Sequence, residues 1–137
     1  MKAFKKRKCI GIFLLCLFIC AIVYVAHGKT IHPERYYQEK WCDENNGEME
    51  VILPDKTRCD CITETHAIEM DFAKKWAESI GQSLYYASQT GKHAGIVLIM
   101  EKSGDERYLD RIHTTIKYFN LPIVVWSMKG QQQWLKE

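Results

Sequence analysis

Residues 58–86, RCDCITETHAIEMDFAKKWAESIGQSLYY, combine two short strand-like stretches with a helical pattern that follows them directly. Within the second stretch, 66–72, Glu69 and Asp71 share one face, because side chains along a strand alternate with a period of two. The segment 74–89 then carries apolar residues at helical spacing and ends at a glycine-containing stop signal. This part of the chain therefore predicts two strands whose acidic side chains lie near the helix that follows them.

The segments on either side extend this pattern to a mixed α/β domain. They predict a short helix at 31–39, a hairpin of strands 48–53 and 57–63, a buried strand at 94–100, a helix from about 103 to 119 and a last strand at 121–126. Meandering strands followed by crossover helices indicate a mixed sheet with helices on both faces. The predicted order is α-β-β-β-α-β-α-β.

The first 28 residues have the composition of an export signal or a membrane anchor. Five basic residues precede an uncharged run of 18 residues at 9–26. A signal-peptide core is typically about 7–15 residues long and a spanning helix about 17–25, so a cleaved signal peptide and an uncleaved N-terminal anchor both remain open. The positive-inside rule sends 29–137 across the membrane in either case. We therefore expect an exported domain, periplasmic or secreted, or anchored in the membrane through 9–26.

The charge of the exported part differs from that of the whole chain. The chain has a formal charge of +2, but 17 acidic and only 14 basic residues lie after Gly28, which gives −3. A nucleic-acid-binding domain usually has a basic surface. The net charge therefore weighs against strong non-specific DNA binding, although a local basic patch remains compatible with it.

Three cysteines, Cys42, Cys59 and Cys61, belong to the exported part. An oxidising compartment allows one disulfide among them. We expect Cys42 to pair with Cys59 or Cys61, because cysteines that alternate on one strand do not easily bridge each other. Three buried thiols are the alternative. The absence of histidines at ligand spacing makes a zinc site a weak interpretation.

The acidic residues of the hairpin and the third strand suggest a site for a divalent cation. Asp60 and Glu69 lie on adjacent predicted strands, so their carboxylates can meet on one face, and Glu50 on the partner strand can be a third acid. Hard cations such as Mg²⁺ take carboxylate oxygens and complete their shell with water and substrate. Such an ion can activate water and polarise a phosphoryl oxygen. These acids therefore predict phosphodiester hydrolysis.

The ordered set of motifs resembles the PD-(D/E)XK nuclease superfamily, whose fold is restriction-endonuclease-like. A hairpin aspartate and a strand glutamate precede a helix with Gln82-Ser-Leu-Tyr-Tyr86, which is similar to the glutamine and tyrosine motif of the RecB-type branch. The resemblance covers nearly all of 31–126. It implies that Asp60 and Glu69 bind Mg²⁺ or Mn²⁺ and that the substrate is nucleic acid.

One position departs from the superfamily pattern. The superfamily lysine lies two residues after the strand glutamate, where this chain has Asp71. Lys75 is the best replacement, because Lys75, Gln82 and Tyr86 fall at i, i+7 and i+11 on one helical face. Lys74 is adjacent but points elsewhere. The resemblance thus implies catalytic roles for Asp60, Glu69 and Lys75. The supporting residues are Glu50, Asp71, Lys74, Gln82 and Tyr86.

Each candidate residue also has a structural interpretation. Asp60 can be the outward residue of a half-buried strand, and Asp71 can be the N-cap of the following helix. Lys74 and Lys75 can belong to a solvated turn. Gln82 can be a buried polar residue that bonds the helix backbone.

The functional alternatives belong to different classes. The leading hypothesis is a metal-dependent endonuclease, a hydrolase that acts on nucleic acid in the exported compartment. The second is a catalytically inactive nuclease-fold module that binds a partner in the cell envelope. The missing strand lysine and the negative domain charge favour the second hypothesis. A small disulfide-stabilised scaffold is a third interpretation.

Overall fold

The structure, a computed structural model, describes residues 30–130 and 132–136. The elements below belong to the unit Ile31–Glu137. The predicted signal peptide or anchor, including 9–26, lies outside the described residues. Within the described ranges, no helix combines the length and the apolar character that crossing a membrane requires.

Three helices and six strands follow one another in the predicted order, with one strand added at the end. They are α1 (Glu34–Glu44), β1 (Glu48–Ile52), β2 (Arg58–Ile62), β3 (His66–Phe72), α2 (Trp76–Thr90), β4 (His93–Met100), α3 (Glu106–Phe119), β5 (Ile123–Lys129) and β6 (Gln132–Lys136). A 3₁₀ turn, Ala73–Lys75, leads into α2. The third strand has the predicted bounds, whereas α1 begins three residues later than predicted and extends to Glu44.

The strands form one mixed sheet in the order β1-β2-β3-β4-β5-β6. The first three strands pair antiparallel, β3 to β5 pair parallel, and β6 returns antiparallel to β5. Parallel neighbours need a crossover connection, which α2 and α3 provide. The predicted mixed α/β fold is therefore confirmed at this level.

Helices cover both faces of the sheet, as the sequence predicts. On one face, Tyr37 and Trp41 of α1 pack in a core with Ile68 and Val97. On the other face, α2 and α3 cover a core that includes Leu98. Every residue of β4 after His93 is buried, as expected of a strand with both faces covered.

The helical spacing of the sequence predicts a buried stripe of Leu109, Ile112, Ile116 and Phe119 on α3, and the observed stripe is shorter. Leu109 and Ile112 are buried, and Ile116 packs at the edge of the core. Phe119, predicted to continue the stripe, is 64% exposed because the helix ends there in a left-handed cap at Asn120. The prediction for Phe119 was therefore wrong.

A disulfide joins α1 to the hairpin. Cys42 on α1 bonds to Cys61 on β2, with 5.9 Å between their Cα atoms. This is one of the two pairings that the sequence leaves open, and Cys59 carries a buried free thiol. A Cβ on Gly47 would lie 2.4 Å from the Cys61 sulfur and 2.7 Å from the Cys42 sulfur. The bridge therefore requires glycine at this position.

Glu101, just after β4, holds the start of α1 in place through hydrogen bonds. Its carboxylate accepts hydrogen bonds from the backbone N–H groups of Ile31 (2.8 Å) and His32 (3.0 Å) and from the Tyr37 hydroxyl (2.7 Å). Burial acts to raise the pKa of Glu101, but these three donors outweigh it and hold the pKa below its usual value. The charged carboxylate is therefore the form that the fold stabilises.

Glu101→Gln is expected to destabilise the domain by about 1–3 kcal/mol at neutral pH, because it weakens charge-assisted hydrogen bonds. The folded pKa lies below the unfolded one, so the carboxylate stabilises the protein above the unfolded pKa and loses this effect as the pH falls through the folded pKa. Urea unfolding at several pH values measures this. The difference between wild type and variant should shrink below about pH 4.

Glu39→Gln is the matched control. Glu39 is exposed and pairs with Arg35 at 2.8 Å on the surface of α1. Such exposed pairs contribute little. An equal loss of stability in both variants would show that the hydrogen bonds of Glu101 stabilise the fold no more than an exposed ion pair does.

Candidate active site

An open pocket of about 460 Å³ lies between the β1–β2 hairpin, the acidic face of β3 and the start of α2. It is lined by Glu34, Ile52, Lys56, Arg58, Asp60, Glu69, Asp71, Lys75, Glu78, Gln82 and Tyr86. Most of the residues that the sequence singles out therefore meet in one place. Glu50 and Lys74 are not among the described lining residues.

The buried wall of the pocket is a pair of carboxyl groups on adjacent strands. Asp60 on β2 is 8% exposed and Glu69 on β3 is 4% exposed. Each carboxyl group acts on the pKa of the other, so the two lie close together. The backbone N–H of Met70 also donates to Asp60 Oδ2 at 2.7 Å. Asp60 is thus held in place by β3 and is not an outward residue of a half-buried strand.

The environment of this pair disfavours two negative charges. Burial, followed by the charges of Asp60 and Asp71, raises the pKa of Glu69 above its usual range. Burial also raises the pKa of Asp60, against the opposing hydrogen bond from the Met70 N–H. Buried carboxyl groups that face each other retain a proton or need a cation. Perturbed acids of this kind in a cleft are typical of functional sites.

The donor set fits a hard cation that is held by two carboxylates. Mg²⁺ is usually bound through one or two carboxylates, with water and substrate oxygens completing its shell. In the described part of the chain, no group of three or more histidine, cysteine, aspartate or glutamate side chains is arranged as a metal site.

Asp71 and Lys75 form an ion pair across the 3₁₀ turn. Lys75 Nζ lies 3.0 Å from Asp71 Oδ1, and the Asp71 side chain is almost fully buried. The hydrogen bond to Asp71 is the main reason that the pKa of Lys75 is raised, so Lys75 stays charged. The ammonium group of Lys75 thus lies beside the position at which the superfamily pattern has its lysine.

Asp71 does not cap the helix. The N-cap of the 3₁₀ turn is Phe72 and that of α2 is Lys75, and neither makes a side-chain capping bond. The Asp71 carboxylate instead accepts a hydrogen bond from the Phe72 N–H at 3.0 Å. The alternative interpretation of Asp71 as an N-cap is therefore wrong.

Glu34 is a pocket residue that the sequence interpretation missed. It lies in the first turn of α1, where an acid is already explained by the helix dipole. Its carboxyl group accepts a hydrogen bond from Gln38 Nε2 at 3.2 Å and lies close enough to Asp71 to affect its pKa. Burial, followed by the charges of Asp71 and Asp60, raises the pKa of Glu34. The pocket therefore holds two neighbouring carboxyl pairs.

The helical wall carries Gln82 and Tyr86 on the same face of α2 as Lys75. Tyr86 is 7% exposed, and burial, followed by the charge of Glu69, raises its pKa to about 12. Gln82 acts to lower the pKa of Tyr86, which places its amide near the Tyr86 hydroxyl. Gln82 is exposed, so its interpretation as a buried polar residue is wrong.

The hairpin forms a cationic rim opposite α2. Arg58 Nη1 pairs with Glu50 Oε2 at 2.9 Å, and Lys56 projects from the turn. The sequence interpretation missed both cations, because facing the pocket depends on the twist of the hairpin. Glu50 acts on the site at a distance, since its charge helps to raise the pKa of Asp60. Lys74 is exposed, in agreement with its interpretation as a solvated turn residue.

The arrangement combines buried oxygen donors, an anchored ammonium group and exposed cations at one opening. Such a pocket can bind a divalent cation and an anionic substrate together. Comparisons with protein-family models, curated proteins and solved structures found no match to this chain.

Proposed function

We propose that the domain is a metal-dependent endonuclease of the PD-(D/E)XK type, with a restriction-endonuclease-like core. The observation that carries the proposal is the meeting of Asp60, Glu69 and Lys75 in one pocket with Gln82 and Tyr86. These residues come from four consecutive elements, namely β2, β3, the 3₁₀ turn and α2. The order of helices and strands and the mixed sheet also support it.

Asp60 and Glu69 would hold Mg²⁺ or Mn²⁺ at the buried wall of the pocket. When bound, such an ion polarises a phosphoryl oxygen and lowers the pKa of a bound water. Asp60 contributes a carboxylate whose orientation is fixed by the Met70 N–H. Glu69 would hold the ion as a charged carboxylate, with its proton released to solvent, because a metal ligand of this type must be deprotonated.

Lys75 would act on the substrate side of the two acids. Its ammonium group is held by Asp71, and its side chain is half exposed, so it remains accessible to an anion at the opening. A charged lysine there can orient the attacking water and offset negative charge at the phosphate. Asp71, supported by Glu34, serves as the anchor for this lysine.

Gln82 and Tyr86 would support the substrate along the wall formed by α2. Gln82 is exposed and lines the opening, whereas Tyr86 lines it with a buried side chain. An exposed amide can donate a hydrogen bond to a phosphate or sugar oxygen. The two residues are therefore assigned to binding and positioning.

The proposal includes export of the domain, followed by release or by anchoring through 9–26. The Cys42–Cys61 disulfide supports it, because disulfides persist mainly in oxidising compartments. The periplasm or the extracellular space is therefore the proposed site of action.

An inactive nuclease-fold module of the cell envelope is the second candidate. Asp71 occupies the position of the superfamily lysine, and Lys75 is already paired with it at 3.0 Å. Calorimetric titration with Mn²⁺ separates the two candidates. Binding that is lost in Asp60→Asn supports the nuclease, and no binding by the wild type supports the inactive module.

Asp60→Asn tests the proposed activity directly. Asparagine keeps an oxygen that can accept the Met70 N–H, so the fold should persist, but it removes one anionic metal ligand. Labelled DNA and RNA are incubated with the purified protein and Mg²⁺, Mn²⁺ or EDTA. We expect cleavage only with metal and a loss of about 10²-fold or more in the variant.

Lys117→Ala is the control, because Lys117 is exposed near the end of α3. It should cleave like the wild type. Metal-dependent cleavage that survives in Asp60→Asn would contradict the proposed site, and wild-type protein that cleaves neither nucleic acid would contradict the activity.

A further inference from the structure

The turn of the β1–β2 hairpin has an unusual residue at its left-handed position. Lys56 N–H donates to Leu53 O at 2.8 Å, and Leu53 N–H donates to Thr57 O at 2.8 Å. This closes a three-residue loop whose last member has a positive φ, a position that usually favours glycine. Here that member is Lys56, with φ +73°. The chain thus keeps a lysine at a position where glycine would be less strained.

The turn is fixed to the body of the domain. Asp55 Oδ1 accepts hydrogen bonds from the Thr57 N–H (3.0 Å) and from Thr57 Oγ1 (2.7 Å). Asp55 Oδ2 accepts a hydrogen bond from the Tyr85 hydroxyl of α2. These hydrogen bonds hold the turn that carries Lys56 against α2, the helix that forms the opposite wall of the pocket.

Lys56 differs from the other cations of the pocket in its lack of an ion pair with a described acidic side chain. Lys75 is paired with Asp71, and Arg58 is paired with Glu50. Lys56 is exposed at the rim and makes no ion pair with any described residue. Strain that is retained at the edge of a site suggests a function for the strained residue.

An exposed apolar side chain lies at the same rim. Ile52, at the end of β1, lines the pocket and is 71% exposed. A cation next to apolar surface complements a chain that alternates phosphates with sugars and bases. The hairpin tip therefore offers both kinds of contact that a nucleic-acid strand needs at the mouth of the pocket.

We propose that Lys56 contacts a backbone phosphate next to the one that is cleaved, with Ile52 against the adjoining sugar or base. This inference rests on the proposed function. It assigns the hairpin tip as the arm that holds the nucleic-acid strand, separately from the acids that carry out the chemistry. Lys56, which has no ion-pair partner among the described residues, can then contact a phosphate although the domain has a net negative charge.

Lys56→Gly is the decisive variant, because it removes the cation and suits the left-handed position. Its Tm should equal or exceed that of the wild type, so weakened binding could not be blamed on misfolding. Fluorescence anisotropy with labelled single-stranded and duplex DNA is measured in Ca²⁺ at several salt concentrations. We expect Kd to rise about 3–10-fold at low salt and the slope of log affinity against log salt to fall by about one charge.

Two further variants sharpen the test. Lys56→Arg keeps the charge and should retain the wild-type slope. Lys117→Ala removes one charge from α3 and should leave both Kd and slope unchanged.

The outcomes separate this inference from the proposed activity. An unchanged slope in Lys56→Gly, with wild-type protein that binds, would overturn the role of Lys56 and leave the nuclease proposal standing. A reduced slope in a protein that never cleaves would support the contact and overturn the catalysis. Wild-type protein that binds neither form of DNA would overturn the inference.

Discussion

Glu69→Gln is expected to lower the proposed metal-dependent cleavage by about 10³-fold or more, because the substitution removes a negative oxygen from the proposed two-carboxylate metal site. Glutamine has nearly the same shape, so packing around β3 is retained. With only Asp60 left as an anionic ligand, affinity for the ion should fall as well. Cleavage rates over a range of Mn²⁺ concentrations measure both effects.

The same variant should be at least as stable as the wild type when no metal is present. Burial and the neighbouring acids raise the pKa of Glu69, and a neutral glutamine imitates its protonated form. Thermal unfolding with and without Mn²⁺ is the measurement. The wild type should gain stability from the ion, since ligands that bind the folded state stabilise it, and the variant should gain much less.

Glu44→Gln provides the matched control, because Glu44 is exposed at the end of α1. It should cleave normally and respond to Mn²⁺ like the wild type. Full cleavage by Glu69→Gln would rule out Glu69 as a metal ligand in the reaction.

Replacing both Cys42 and Cys61 by serine should cause the largest loss of stability. The bridge spans 19 residues, and closing a loop of this size stabilises a domain by about 3 kcal/mol. For a domain of about 100 residues this corresponds to a fall in Tm of about 15 °C. Calorimetry of the oxidised wild type and the double variant measures the difference.

Cys59→Ser and a reducing agent provide the controls. Cys59 carries a buried thiol that contacts the carbonyl oxygens of Cys61 and Ile68 at 3.5 and 3.4 Å, where a serine hydroxyl can also donate. Dithiothreitol should lower the Tm of the wild type and of Cys59→Ser but not that of the double variant. A wild-type Tm that does not respond to reduction would contradict the stabilising role of the bridge.

The features that the sequence predicts follow from the regular spacing of side chains along strands and helices. Alternation along 66–72 fixes the face of Glu69 and Asp71, and helical spacing fixes the common face of Lys75, Gln82 and Tyr86. Both depend only on local geometry. The order of elements and the mixed sheet follow from the same local patterns combined with short connections.

The features that the sequence did not predict depend on long-range geometry. Glu34 belongs to a helix on the other face of the sheet, and the segment just before that helix is hydrogen-bonded to Glu101. The partner of Cys42 depends on where α1 ends and on how closely Gly47 lets it approach β2. Lys56 faces the pocket because of a turn conformation that usually favours glycine. β6 has no alternating pattern in its sequence.

The disulfide also bears on when the pocket can assemble. It joins the helix that carries Glu34 to the strand that carries Asp60, and Cys61 is the immediate neighbour of Asp60. A newly synthesised chain with reduced thiols holds these two elements together by packing alone. If the domain is an exported nuclease, completion of its acidic site would be coupled to leaving the reducing compartment that contains the cell's own nucleic acids, so maturation itself would protect the producing cell.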